Sequence, residues 1–217
     1  MYYIPLSDQI AKIYFIFQRD NPPYVYFSLQ NKLRWVYNSY MLKIVLIPNN
    51  ILLKPVEPVV KIDSKIKKLV YDMEEALISQ IDPQGVGLAA PQVGLSLALF
   101  IIKPSLNSNT EVFINPKILQ IQSPVSNNQS PKNKQNKLEG CLSIPRIWGP
   151  ISRAPKVRLS YQDLNSNTHI KWFTGFKAII IQHECDHLKG ILFTQRSLEQ
   201  QSKLYEEKNG ELHPLHY

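Results

Sequence analysis

The stretch 174-TGFKAIIIQHECDHLKG-190 constrains this chain more than any other. Phe176, Ile179, Ile180, His183 and His187 recur at helical spacing, so one apolar face runs directly into a pair of histidines. Thr174 is a candidate N-cap and Gly190 a candidate C-terminal stop. Residues four apart on a helix are turned by about 400°, so His183 and His187 project together and can hold one metal ion. Glu184 lies about 100° round from His183, beside the metal rather than on it. This H-E-x-x-H arrangement is a zinc-hydrolase pattern in which the carboxylate serves as a base for water. The bland alternative is a helix with two surface histidines, and the apolar lead-in weakens it.

A catalytic metal needs a third protein ligand and an open position. His169 sits in a candidate hairpin, while His213 and His216 sit in a polar tail, where surface histidines are ordinary. Cys141, between Gly140 and Leu142, offers a thiolate. Cys185 lies about 200° from His183 on the helix and reads as a small buried hydrophobe. Two cysteines could form one disulfide, but a cysteine beside spaced histidines reads better as a metal ligand in a reducing compartment.

The surrounding pattern is that of an α+β domain. Its short, largely antiparallel strands pack around a central helix carrying the HExxH motif. Ile66, Leu69, Val70, Met73 and Leu77 mark an amphipathic helix over 64–80, capped by Asp63 or Ser64. A glycine turn follows, 85-GVGLAAPQVG-94. Strands are expected at 97-LALFII-102, 111-EVFINP-116, 156-KVRLSYQD-163 and 168-THIKWF-173, the last two joined by the turn 163-DLNSN-167. The stretch 41-MLKIVLIPNN-50 reads as a further strand start.

Three segments stand apart. Residues 1–40 hold half of the aromatic residues and no glycine, and read as a weakly ordered N-terminal extension or a start codon set too early, with an apolar arm that packs on the domain or a partner as the alternative. They match neither a secretory signal nor a transit peptide. Residues 122–137 carry one apolar residue, Val125, and no acid, so they read as a basic low-complexity insert hanging in solvent, with draping over the site entrance as the alternative. The catalytic domain is then 41–197, and 198–217 is expected to be a charged helix to about Lys208 followed by a frayed tail.

Three motifs in order, 85-GVGLAAPQ-92, 139-EGCLS-143 and 183-HECDH-187, resemble peptide deformylase over about residues 42–196. The resemblance implies that Cys141, His183 and His187 hold the metal. Fe2+ is the expected ion, with Zn2+, Ni2+ or Co2+ as substitutes. It implies Glu184 as the catalytic carboxylate, with the Gln92 amide and the Leu142 backbone N–H as donors to the reacting oxygen. The implied reaction removes the formyl group from the N-terminal formylmethionine of new polypeptides, releasing formate.

Val86, Phe176, Ile179 and Ile180 are candidate walls for a methionine side chain, although all four are equally good core residues. Trp148 is a candidate rim. Gly85 and Gly87 are read as leaving room for a peptide backbone, and Gly87 is counted with the substrate-binding residues. Arg153 is read as structural.

A zinc endopeptidase on the same helix is the rival enzyme. It would need a third ligand after His187, where only a polar end is available. A degenerate homologue that merely binds formyl-Met chains is the non-enzyme rival, and the intact motif set argues against it. Formylated nascent peptides are the expected partner, and the net charge of +8 is compatible with ribosome association. No membrane span and no specific DNA binding are expected. The expected location is a bacterial cytoplasm, with an organelle as the alternative.

Overall fold

Strand β2 (Leu99–Ile102) is buried on both faces, which is why its sequence shows no alternation. In the computed structural model, which describes residues 42–122 and 138–216, Leu99 and Ile101 pack under one helix and Phe100 and Ile102 under another. The first helix is α1 (Ser64–Ile78) and the second α2 (Gly175–His187). Two expectations, the N-terminal extension over 1–40 and the basic insert apart from Gln122, lie outside the described residues.

β2 belongs to an antiparallel five-stranded sheet ordered β1-β2-β3-β6-β7. The other members are β1 (Gly87–Ala89), β3 (Glu111–Gln122), β6 (Lys156–Gln162) and β7 (Thr168–Thr174). Asp163 closes the β6–β7 hairpin. Its Oδ1 accepts from the backbone of Asn165 at 2.8 Å and of Asn167 at 3.0 Å. Helix α1 starts at Asp63, whose Oδ1 accepts from the Lys65 and Ile66 amides, and it buries Ile66, Val70, Met73 and Leu77. It ends at Ile78, two residues short of expectation, because the Ser79 hydroxyl turns back to the Ala76 carbonyl.

A second antiparallel sheet is ordered β4-β5-β8-β9. It comprises β4 (Leu138–Cys141), β5 (Ile144–Pro150), β8 (Tyr205–Lys208) and β9 (Glu211–Pro214). Its core includes Leu52, Ile144, Ile147, Phe193 and Leu204, with α3 (Phe193–Glu199) packed alongside.

Two expectations about local structure are corrected. The charged end is not a helix to Lys208 with a frayed tail. Helix α3 stops at Glu199, and β8 and β9 form a hairpin around Asn209 and Gly210, both at positive φ. An Asn-Gly pair supports the primed two-residue turn that fits strand twist. The exposed hairpin is tethered by buried Leu204, whose carbonyl accepts from Leu215 N at 2.8 Å. The stretch from Leu42 to Ile47 is not a ladder strand either. Val45 N donates to Gln92 O at 2.8 Å and Ile47 N to Ser143 O at 3.1 Å, tying two loops together. Asn49 then caps a 3-10 turn, Asn50–Leu53.

Candidate metal centre

Helix α2 is buried around most of its girth. Ala178, Ile181 and Cys185 pack with the five-stranded sheet, Ile180 joins that core and also reaches a cavity, and Ile179, His183 and Glu184 line the same cavity. Gln182 pins the helix laterally: its amide accepts from Ala154 N at 3.2 Å and donates to Ala154 O at 2.8 Å. Thr174 occupies the N-cap position but its side chain makes no capping bond, so sheet and cavity packing, rather than the cap, set where the helix begins.

Cys141 ends β4 and meets the helix from the second sheet. One donor atom each from Cys141, His183 and His187 lies within 4.8 Å of the others. Cys141 Sγ is 3.1 Å from His187 Nε2. His183 Nδ1 is 3.2 Å from Glu139 Oε2, which leaves Nε2 as the free ring nitrogen. A carboxylate behind a histidine is the usual device for fixing the tautomer and orientation of a metal ligand. One sulfur and two imidazole nitrogens form a donor set suited to Fe2+ or Zn2+.

Burial alone would raise the Cys141 thiol, but His187 and His183 outweigh it and hold the thiol well below its usual value. Burial alone would lower His183, but its bonds to Cys141 and Glu139 raise it instead. Without metal the pair is therefore a thiolate against an imidazolium. Burial drives Glu184 the other way, up to about 7, against the pull of both histidines. Its Oε2 has no hydrogen-bond partner among the described residues.

All the expected pocket residues reach one cavity of about 230 Å3. Val86, Gly87, Gln92, Cys141, Leu142, Phe176, Ile179, Ile180, His183 and Glu184 line it, joined by Trp148. Phe176, expected as a wall, is 49% exposed and stands at the open side. Gln92 is buried, and its orientation is set: Oε1 accepts from Ala89 N at 2.8 Å, which turns Nε2 toward Cys141 Sγ at 3.4 Å. Leu142 occupies the tight turn between β4 and β5.

Gly87 and Gly85 both sit against side chains of the protein itself. A Cβ at Gly87 would fall onto Glu184 Oε1 and lie 2.8 Å from Ile180 Cγ2, and one at Gly85 would lie 2.5 Å from Leu77 Cδ1. Both glycines admit the protein's own side chains; peptide access is not what their geometry demands.

Sequence reasoning missed the charged support. Glu139 Oε1 accepts from Arg153 Nε at 2.7 Å, and Arg153 Nη1 donates to Asp186 Oδ2 at 2.9 Å. Arg196 clasps Asp186 through Nη2 at 2.8 Å and Nε at 3.2 Å. Burial would raise Glu139 and Asp186, yet their partners hold both below the usual carboxylate range. Glu139 was in view beside Cys141; that it reaches His183, 44 residues on, was not. Cys185 is buried with its thiol pushed up to about 12 by burial, and both cysteines are free. His169 bonds Asp163 on the β6–β7 hairpin and His213 is exposed on β9, so neither joins the cluster.

The polypeptide deformylase family model matches residues 41–203. The peptide deformylase of Dictyoglomus turgidum is 43% identical over 148 residues, covering 68% of this chain and 86% of that protein. Peptide deformylase 1 of Bacillus cereus is 36% identical over 171 residues, covering 79% and 99%. The crystal structure of peptide deformylase from Thermotoga maritima superposes with a TM-score of 0.62 at 34% identity, covering 72% of this chain and 97% of that one. That of a peptide deformylase from Synechococcus elongatus in complex with actinonin does so with 0.64 at 30% identity, covering 82% and 87%.

Proposed function

The chain belongs to the polypeptide deformylase family, and we propose that it hydrolyses the formyl amide of N-terminal formylmethionine on new polypeptides. The observation that carries this reading is the meeting of Cys141, His183 and His187 beside a cavity that Gln92, Cys141, His183 and Glu184 line. In the reaction, water oxygen adds to the formyl carbon, the C–N bond breaks, and formate and the free α-amine leave.

Cys141, His183 and His187 would hold the metal, with α2 as the scaffold of the site. Fe2+ is our assignment, and Zn2+, Ni2+ and Co2+ fit the same donors. When bound, the metal supplies Lewis acidity toward the formyl carbonyl and the attacking water. Glu184 takes a proton from that water and delivers it to the departing nitrogen; a carboxyl tuned to about 7 is suited to both tasks near neutrality. The Gln92 amide, held by Ala89 N, and the Leu142 N–H donate to the oxygen that gains charge. Val86, Phe176, Ile179 and Ile180, which all line the cavity, are the walls offered to the methionine side chain.

The third donor favours this chemistry over an endopeptidase. It is a cysteine from a separate sheet, whereas the polar segment after His187 sends no residue into the donor cluster. Ribosome association and a cytoplasmic location remain part of the proposal, motivated by the substrate and by the bacterial relatives. Among the described residues no helix is long and apolar enough to cross a membrane.

The test is Glu184→Ala. It should keep stoichiometric metal and lose about two to four powers of ten in formate release. Unchanged turnover with metal bound would remove Glu184 from the mechanism.

A further inference from the structure

Trp148 lines the cavity but draws its support from 59 residues further along the chain. Its ring lies on Gly140, where a Cβ would sit 2.9 Å from Cζ3 and 3.0 Å from Cε3. Its Nε1 donates to Glu207 Oε2 at 2.7 Å. Glu207 stands on β8, in the C-terminal hairpin, and does not itself line the cavity. Strand β8 pairs with β5 so that Trp148 faces Tyr205, which brings Glu207 into diagonal reach of the indole.

An indole has one donor and two side-chain torsions. The smooth surface of Gly140 lets the ring lie flat but cannot stop it turning. A charge-assisted bond to a carboxylate can.

We propose that Glu207 is a positioning residue for the substrate cleft: it locks the Trp148 indole against Gly140, so that the ring forms one wall of the peptide site. The C-terminal hairpin is thereby coupled to substrate binding through a single hydrogen bond. This rests on the deformylase reading, since the cleft is taken to be the peptide site. A purely structural role for Glu207, stapling β8 to β5, would lower stability and leave the cleft unaffected.

The test measures kcat and KM for a formyl-Met peptide in metal-loaded wild type, Glu207→Leu, Glu207→Gln, Trp148→Phe and the Glu207→Leu/Trp148→Phe double variant. Glu207→Leu should raise KM about tenfold, the scale of a lost hydrogen bond to a charged group, with kcat little changed. Glu207→Gln keeps an acceptor oxygen and should restore most of the wild-type KM. Trp148→Phe should raise KM too, and adding Glu207→Leu should raise it no further. A wild-type KM in Glu207→Leu, or an equal increase in the Trp148→Phe background, would overturn the proposal.

A second readout does not depend on turnover. In a Trp35→Phe/Trp172→Phe protein, acrylamide quenching of Trp148 should increase on Glu207→Leu. Unchanged quenching would also overturn the proposal. Absence of formate release by wild type would instead fault the deformylase reading, with the quenching result still deciding the role of Glu207.

Discussion

Gly87 and Glu184 share one space: the position a Cβ would take on residue 87 is filled by the Glu184 carboxylate, with Ile180 Cγ2 beside it. A side chain at 87 must therefore displace the group assigned to proton transfer. Gly87→Ala should lower kcat by about two powers of ten, the usual cost of misplacing a reacting group by an ångström, while metal content stays stoichiometric. Steady-state formate release with metal analysis checks this. Wild-type kcat in the variant would mean that the carboxylate is not held where it acts.

Glu139 orients His183 from behind, through a contact of 3.2 Å. Glu139→Ala should weaken metal affinity by about 10- to 100-fold, the usual scale for losing such a partner. Competition with a chelator measures it. Arg153→Met should share part of that loss, because Arg153 holds Glu139 in turn.

Metal uptake should release a proton. Without metal, His183 is held protonated by Cys141 and Glu139, while the Cys141 thiol is already depressed by the two histidines. The imidazolium must lose its proton to become a ligand, so affinity should rise with pH across the neutral range. Titration calorimetry in buffers of different ionisation enthalpy should show about one proton released per metal. No net release would contradict the thiolate–imidazolium pair.

The parts of this site that share one helix were legible, and the parts joined only by tertiary structure were not. His183, Glu184 and His187 are read from a four-residue spacing, because helical geometry alone brings them together. Gln92 and Cys141 come from separate loops and sheets, and no local period connects them to α2; Cys141 is a candidate ligand by its thiolate chemistry, while the role of Gln92 follows from the resemblance alone. The grip of Glu139 and Arg153 on His183 and Asp186 depends on where β4 and the 152–155 segment cross the helix. The C-terminal hairpin was misread for another reason. Its charged residues resemble a solvated helix, while the pair Asn209-Gly210, both at positive φ, supplies the hairpin turn.

The Glu139–Arg153–Asp186 array should also show in acid. Both carboxylates titrate below their usual range in the folded chain. Their contribution is therefore complete above the unfolded-state values of about 4 and is lost as pH falls below them. For metal-free protein at pH 7, Arg153→Met should cost about 2–3 kcal/mol, because two buried carboxylates lose a shared charged partner while Glu139 keeps His183 and Asp186 keeps Arg196. That deficit should narrow as pH falls below about 4, because the variant's carboxylates, without Arg153, take up protons before the depressed wild-type ones do. Urea unfolding of both proteins from pH 7 to 3 checks it, and a constant deficit would contradict the assignment.

The most direct measurement is formate release by the metal-loaded wild type from a formyl-Met peptide, run beside the same peptide without its formyl group. Stoichiometric formate and free methionyl peptide from the first, with the second left intact, is the expected result. Cleavage within the unformylated peptide and no formate from the formylated one would contradict the account.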